Sequence, residues 1–187
     1  DRLGGLDPYG ASKSATEIAI QSYVSSFFSN KNGNIKICTA RAGNVIGGGD
    51  WSPDRLIPDC MRSWLKNKIV KIRNPNSTRP WQHVLEVIFG YLTLAINLKS
   101  FNKLHGESFN FGPKDHNYKV SEVLNEIKKI WPSIRWKYDK NIKFKENQLL
   151  NLNSKKAYET LKWEQTLTFK EQINMVVNWY KFFNKDK

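Results

Sequence analysis

Stretches with a helical repeat alternate with short apolar runs along this chain, the order of an α/β protein. Over residues 9–29, Ile18, Ile20, Tyr23, Val24, Phe27 and Phe28 carry the apolar character, while Ala11, Ala15, Ala19, Ser22 and Ser26 form a separate line of small side chains. That line predicts a helix able to approach a neighbour closely. After an Asn-Gly turn at residues 32 and 33, IKICTA (35–40) reads as a buried strand and RAGNVIGGGDW (41–51) as a glycine-rich loop. Asp54 and Pro58 open a predicted helix that runs through Leu65, KIVKI (68–72) predicts a short strand, and a further helix covers 84–98.

Beyond residue 100 the elements shorten, which predicts a smaller lobe. ESFNFG (107–112) reads as a strand, Val120, Val123, Leu124, Ile127 and Trp131 mark one helix face, and IRWKYD (134–139) alternates like a half-buried strand. In SKKAYETLKWE, Ala157, Tyr158 and Leu161 are expected on the packed side of a short helix. The last helix starts at Thr168, where Glu171 completes a capping box, and it aligns Phe169, Ile173, Val176, Val177 and Tyr180.

Charge and cysteine usage narrow the function classes. The net charge of +13 is spread: residues 1–113 hold 14 Lys and Arg against 8 Asp and Glu, and the remainder 16 against 9. Lysines dispersed among acids and apolar residues form a solvated surface, so neither nucleic acid nor a membrane is an expected partner, while small anionic substrates remain compatible. Cys38 and Cys60 stand outside any CxxC or Cys/His cluster, and His83, His105 and His116 lack metal-ligand spacing, so no metal site is expected. Cys38, in an apolar run, reads as a small buried side chain. No apolar run reaches the roughly 18 to 20 residues that span a bilayer, and DRLGGLDPYG has no signal-like region; a cytoplasmic protein is expected. The first residue is not methionine, and upstream sequence is expected.

The candidate chemistry lies in DPYGASKSATE (7–17). Tyr-x-x-x-Lys occurs twice, at Tyr9…Lys13 and Tyr158…Lys162, so spacing alone does not choose between them. Packing accounts for Tyr158. Tyr9 follows Pro8 at a helix start, where a side chain can project into a cleft. A phenol ordinarily titrates near 10, and an ammonium one helical turn away is the kind of group that stabilises its phenolate.

PYGASKSATE resembles the YxxxK catalytic helix of the short-chain dehydrogenases/reductases. RAGNVIGGGDW, DRLIPD, RNPNSTRPWQHV, FNFGP and LKWEQTLTFKEQINMVVNWY follow in the order expected of the extended, nucleotide-sugar branch, and the wording is similar to the CDP-glucose 4,6-dehydratases. The resemblance implies the C-terminal part of a Rossmann-like doubly wound parallel sheet, interleaved with a smaller α/β substrate-binding lobe that dominates after about residue 100. It implies NAD as cofactor and CDP-glucose as the nucleotide-diphosphate sugar, with a homodimer through the Tyr9 helix. Tyr9 would be the base and Lys13 would hold the nicotinamide ribose, with Ala42 and Gly43 approaching the nicotinamide through backbone atoms. Asn44, Arg55, Leu56, Asn74 and Arg79 would contact substrate, Arg79 at the diphosphate. Trp81 and His83 read as packing residues.

The chain also departs from that pattern. No G-x-x-G-x-x-G fingerprint is present, so the dinucleotide-binding half is expected to be absent from this chain, and Asn153 stands where an aspartate is expected. Two alternatives remain open: another epimerase or dehydratase of the same branch, and a non-catalytic basic binding protein. A clustered basic face with exposed aromatics would favour the latter; an acidic or neutral cleft beside Tyr9 would not.

Overall fold

Pro8 supplies the first turn of α1 (Pro8–Phe27), and the side chain of Asp7 caps it by accepting a hydrogen bond from Gly10 N at 2.9 Å. The computed structural model describes residues 3–4, 7–30, 33–114, 117–139 and 150–185; Asn32 of the expected turn and His116 lie outside them. None of the residues of α1 is buried, and Ile18, Tyr23 and Phe27 of its expected apolar face are 56%, 60% and 73% exposed. The other apolar residues of that face, Ile20, Val24 and Phe28, are at most half-buried.

The first strand, β1 (Thr39–Ala42), starts later than the apolar run suggests. Residues 35–38 run instead beside the turn around His105: Ile37 N donates to His105 Nδ1 at 3.0 Å, Gly106 N donates to Ile37 O at 2.8 Å, and Cys38 Sγ donates to Leu104 O at 2.7 Å. Cys38 is half-buried, whereas Cys60 is buried. The first half of the expected glycine-rich loop is strand, since Arg41 and Ala42 end β1 and residues 44–46 form β2 (Asn44–Ile46), while residues 47–51 lie outside any strand.

Next come α2 (Leu56–Trp64) and β3 (Val70–Ile72), the strand shortened because Asn67 N and Lys68 N still close the helix end on Trp64 O and Ser63 O. The TRPWQHV motif forms β4 (Thr78–Arg79) and β5 (Trp81–His83), then enters α3 (Val84–Ser100). Trp81 and His83 are both 5% exposed, as packing residues are, and His83 Nδ1 caps α3 by accepting from Leu85 N at 3.2 Å. β6 (Ser108–Phe111), β7 (Tyr118–Lys119), α4 (Val120–Ile130), β8 (Trp136–Tyr138), α5 (Lys155–Leu161) and α6 (Phe169–Lys185) complete the order.

The strands form pairs: β1 with β6, β2 with β5 and β3 with β8 are parallel, and β4 with β7 is antiparallel. The α/β class and parallel pairing agree with the expected fold. Two apolar clusters hold it. One joins Ile57, Met61 and Trp64 of α2 with Val123, Leu124 and Ile127 of α4 and Ile173, Val177 and Tyr180 of α6. The other packs Leu94 of α3 and Phe109 and Phe111 of β6 against Ala157, Leu161 and Trp163. Tyr158 departs from expectation: at 47% exposed it is turned away from Ala157 and Leu161, and Lys162 is a left-handed helix cap at φ 55°.

The capping box of α6 is present, with Thr168 N and Oγ1 each donating to Glu171 Oε2 at 2.7 Å. The segment leading into it is tied to α3 by buried Glu86, whose Oε1 accepts from Thr166 N and Leu167 N at 3.0 and 2.6 Å. The glycine run after β2 is shaped by α6 as well. A Cβ at Gly48 would lie 2.2 Å from Trp179 Cγ, so only glycine lets that indole lie against the loop.

Candidate functional site

Tyr9 lies in the first turn of α1, where the side chain leaves the helix end; it is 73% exposed. One turn later Lys13 places its Nζ 5.5 Å from the Tyr9 ring centroid. Two cavities meet at this tyrosine. The smaller, about 380 Å³, is lined by Tyr9, Asn44, Asp50, Asp54, Arg55 and Leu56 among others, so it brings together four of the residues expected at the site. The larger, about 720 Å³, is lined by Tyr9, Lys13, Glu17, Thr39, Arg41 and Ala42 among others. Asn44, Arg55 and Leu56, expected at the substrate, thus line one cavity, and Lys13 and Ala42, expected at the cofactor, line the other.

The floor of the smaller cavity comes from β2 and from the start of α2. Asn44 N donates to Pro80 O at 3.0 Å, which fixes the strand end that carries its side chain. Arg55 is the N-cap of α2 in an extended conformation and makes no side-chain capping bond, so its guanidinium is not spent on the helix end. Burial pushes the Asp50 carboxyl up, but hydrogen bonds from Ser52 and the charges of Arg55 and Arg62 outweigh it and hold the group below the ordinary aspartate value. The cavity therefore presents both acids and an arginine, a mixed wall and not a basic face.

Gly43 joins β1 to β2 and has a packing reason of its own. A Cβ there would stand 2.6 Å from Pro80 Cγ and 2.7 Å from Pro80 O. Asn74 and Arg79 are absent from the walls of both cavities. Asn74 O accepts from Ser77 N in the turn before β4, and Arg79 Nη1 donates to Thr78 O at 2.8 Å. Arg79 lies two residues before Trp81, which does line the smaller cavity. Tyr158 lines a separate cavity of about 420 Å³ with Lys114, Trp163 and Gln165, away from Tyr9.

One pair escaped the sequence reading. Glu17 continues the stripe of Tyr9 and Lys13 along α1, and its Oε1 and Oε2 accept from Arg41 Nε and Nη2 at 2.7 and 2.8 Å. The Arg41 hydrogen bond holds the Glu17 carboxyl below its ordinary value, and Glu17 in turn raises Arg41. The intervals of four between Tyr9, Lys13 and Glu17 were the available signal. Among the described residues no cluster of His, Cys, Asp and Glu could hold a metal, and no helix is long and apolar enough to cross a membrane.

The model of the NAD dependent epimerase/dehydratase family matches residues 2–112. A CDP-glucose 4,6-dehydratase of Salmonella typhimurium is 39% identical over 184 residues, covering 96% of this chain and 51% of that protein. A UDP-glucuronic acid 4-epimerase from Bacillus cereus, solved in complex with UDP-glucuronic acid and NAD, superposes with a TM-score of 0.81 at 22% identity, over 96% of this chain and 54% of that one. A dTDP-glucose 4,6-dehydratase from Bacillus anthracis, solved in complex with NAD, gives 0.77 at 20% identity, over 98% and 55%. At such identities the structural likeness establishes the fold. The chain spans about half the length of the relatives it matches.

Proposed function

The chain belongs to the NAD dependent epimerase/dehydratase family, and from that premise we propose that it contributes the base acting at the sugar 4-hydroxyl and much of the substrate wall of an NAD-dependent nucleotide-sugar 4,6-dehydratase acting on CDP-glucose. The observation that carries this reading is Tyr9 at the meeting point of two cavities, with the Lys13 ammonium 5.5 Å from its ring.

The larger cavity suits the reactive end of the cofactor, since the tyrosine, the lysine and Ala42 share one wall. When bound, NAD supplies the hydride acceptor and gives the hydride back, so the reaction has no net redox. Tyr9 takes the proton of the sugar 4-hydroxyl as C4 is oxidised. Lys13 favours the phenolate by its charge and donates hydrogen bonds to a ribose. Ala42 and Gly43 present backbone atoms where larger side chains would stand off. The C4 ketone acidifies the C5 proton, and water leaves across C5 and C6. Asn44, Arg55 and Leu56 line the substrate side; Asn74 and Arg79 line neither cavity, so the reading requires Arg79 to turn its planar fork toward a bound diphosphate.

The mixed wall beside Tyr9, with Asp50 and Asp54 against Arg55, speaks against a basic scaffold. The exposed apolar face of α1 suits a homodimer through that helix. The test is keto-sugar formation from CDP-glucose and NAD by the complete gene product that contains this chain. Tyr9→Phe is expected to lower turnover by about a hundredfold to ten-thousandfold, and Tyr158→Phe to leave it near wild type. Equal losses would remove Tyr9 from its role. Interconversion of C4 epimers without loss of water would assign the chain to an epimerase.

A further inference from the structure

The ion pair beneath Tyr9 does more than join a helix to a strand. In an isolated helix, lysine and glutamate four residues apart attract one another, so Lys13 and Glu17 are natural partners. In this structure they are not paired. Both oxygens of Glu17 are taken by the Arg41 guanidinium, at 2.7 and 2.8 Å, and Oε2 also accepts from Thr39 Oγ1 at 3.1 Å. The Glu17 side chain is only 14% exposed, so its reach toward solvent is limited. Lys13 makes no ion pair among the described residues and sits over the Tyr9 ring instead.

Glu17 is the single carboxylate among the described residues that line this cavity. Whichever cation holds Glu17 therefore decides where the Lys13 ammonium rests. A charge-assisted fork of two parallel hydrogen bonds outcompetes a single contact along an exposed helix face. The fork is itself braced. Arg41 Nη1 donates to Asn110 Oδ1 at 3.3 Å, Asn110 Nδ2 donates to Asn153 O at 3.1 Å, and Thr39 Oγ1 lies 2.7 Å from Ser108 Oγ. Strands β1 and β6 thus hold Arg41 through contacts that do not involve Glu17.

We propose that Arg41 is a positioning residue that sequesters Glu17 and so keeps the Lys13 ammonium available to Tyr9. The inference rests on the reading of Tyr9 and Lys13 as the working pair. Its content is a competition, and that separates it from a plain tether between α1 and β1. Glu17→Gln and Arg41→Gln break the same ion pair, and Arg41→Gln also removes the hydrogen bond to Asn110, so the double variant, in which a tether stays lost, carries the distinction. Only Arg41→Gln leaves a free carboxylate four residues from Lys13. The double variant Glu17→Gln/Arg41→Gln removes that competitor again.

Two readouts decide the matter. In nitrogen-15 NMR spectra of the lysine ammonium groups of the chain, with Lys13 assigned by its loss in Lys13→Arg, the Lys13 signal is expected to stay in place in Glu17→Gln and in the double variant, and to move in Arg41→Gln. In the complete gene product, Arg41→Gln is expected to lower kcat by about tenfold more than Glu17→Gln. KM for the nucleotide sugar should stay within about twofold in all three, because its wall is built from β2 and α2. The double variant should recover to the Glu17→Gln level. A Lys13 signal that moves equally in both single variants, or a double variant no better than Arg41→Gln, overturns the proposal. If wild type turns over no nucleotide sugar, the functional reading fails while the NMR arms still decide the competition.

Discussion

Gly43 has two competing explanations, and alanine separates them. If the glycine exists only to let a cofactor approach, Gly43→Ala should weaken NAD binding and leave stability alone. The structure predicts otherwise, because the added Cβ would meet Pro80 Cγ at 2.6 Å and Pro80 O at 2.7 Å. The proline ring could yield a few tenths of an ångström; the carbonyl cannot without moving β5, whose Trp81 and His83 are buried. Overpacking of this kind costs about 1 to 3 kcal/mol. The same carbonyl accepts from Asn44 N at 3.0 Å, and loosening that bond adds about 0.5 to 1.5 kcal/mol. The expected loss is therefore about 1.5 to 4.5 kcal/mol, which for a chain of this size lowers the melting midpoint by roughly 3 to 18 °C. Urea unfolding of wild type and Gly43→Ala measures it, with the midpoint lowered and the slope unchanged. An unchanged midpoint with NAD affinity alone reduced would refute the packing argument.

The remaining predictions concern the charges. If Arg79 grips a diphosphate, Arg79→Lys keeps the charge and loses the fork, so CDP and CDP-glucose affinity should fall clearly, while Arg135→Lys, a distant control, leaves it unchanged; equal affinities by calorimetric titration would take Arg79 out of the site. Acid should loosen α1. The folded value of Glu17 is depressed chiefly by the Arg41 hydrogen bond, so its contribution is fully present above the ordinary glutamate value near 4.3, and is lost as pH falls through its own lower value. Urea midpoints between about neutral pH and about pH 3 should therefore fall less steeply in Glu17→Gln than in wild type.

What the sequence discloses depends on whether the deciding partner is near in the chain. The long helices were legible because their causes are local: the faces of α4 and α6 follow a helical period, and Thr168 with Glu171 writes its own cap. The start of β1 was not, because residues 35–38 are claimed by hydrogen bonds from the turn at Leu104 to Gly106, nearly seventy residues on. β5 was hidden for another reason. Trp81, Gln82 and His83 are all buried, so they show none of the alternation that marks a strand with one wet face. The site divides along the same line. Tyr9 and Lys13 share a helix and could be read together, and the motif order brought Asn44, Arg55 and Leu56 to the same wall. That Arg41 would take Glu17 from Lys13 needed the β1 register, which sets Arg41 opposite Asn110. The i, i+4 rule alone would have paired Lys13 with Glu17 and moved the ammonium away from Tyr9, so on the proposed reading a local preference has to be defeated by a nonlocal contact before the local motif can work.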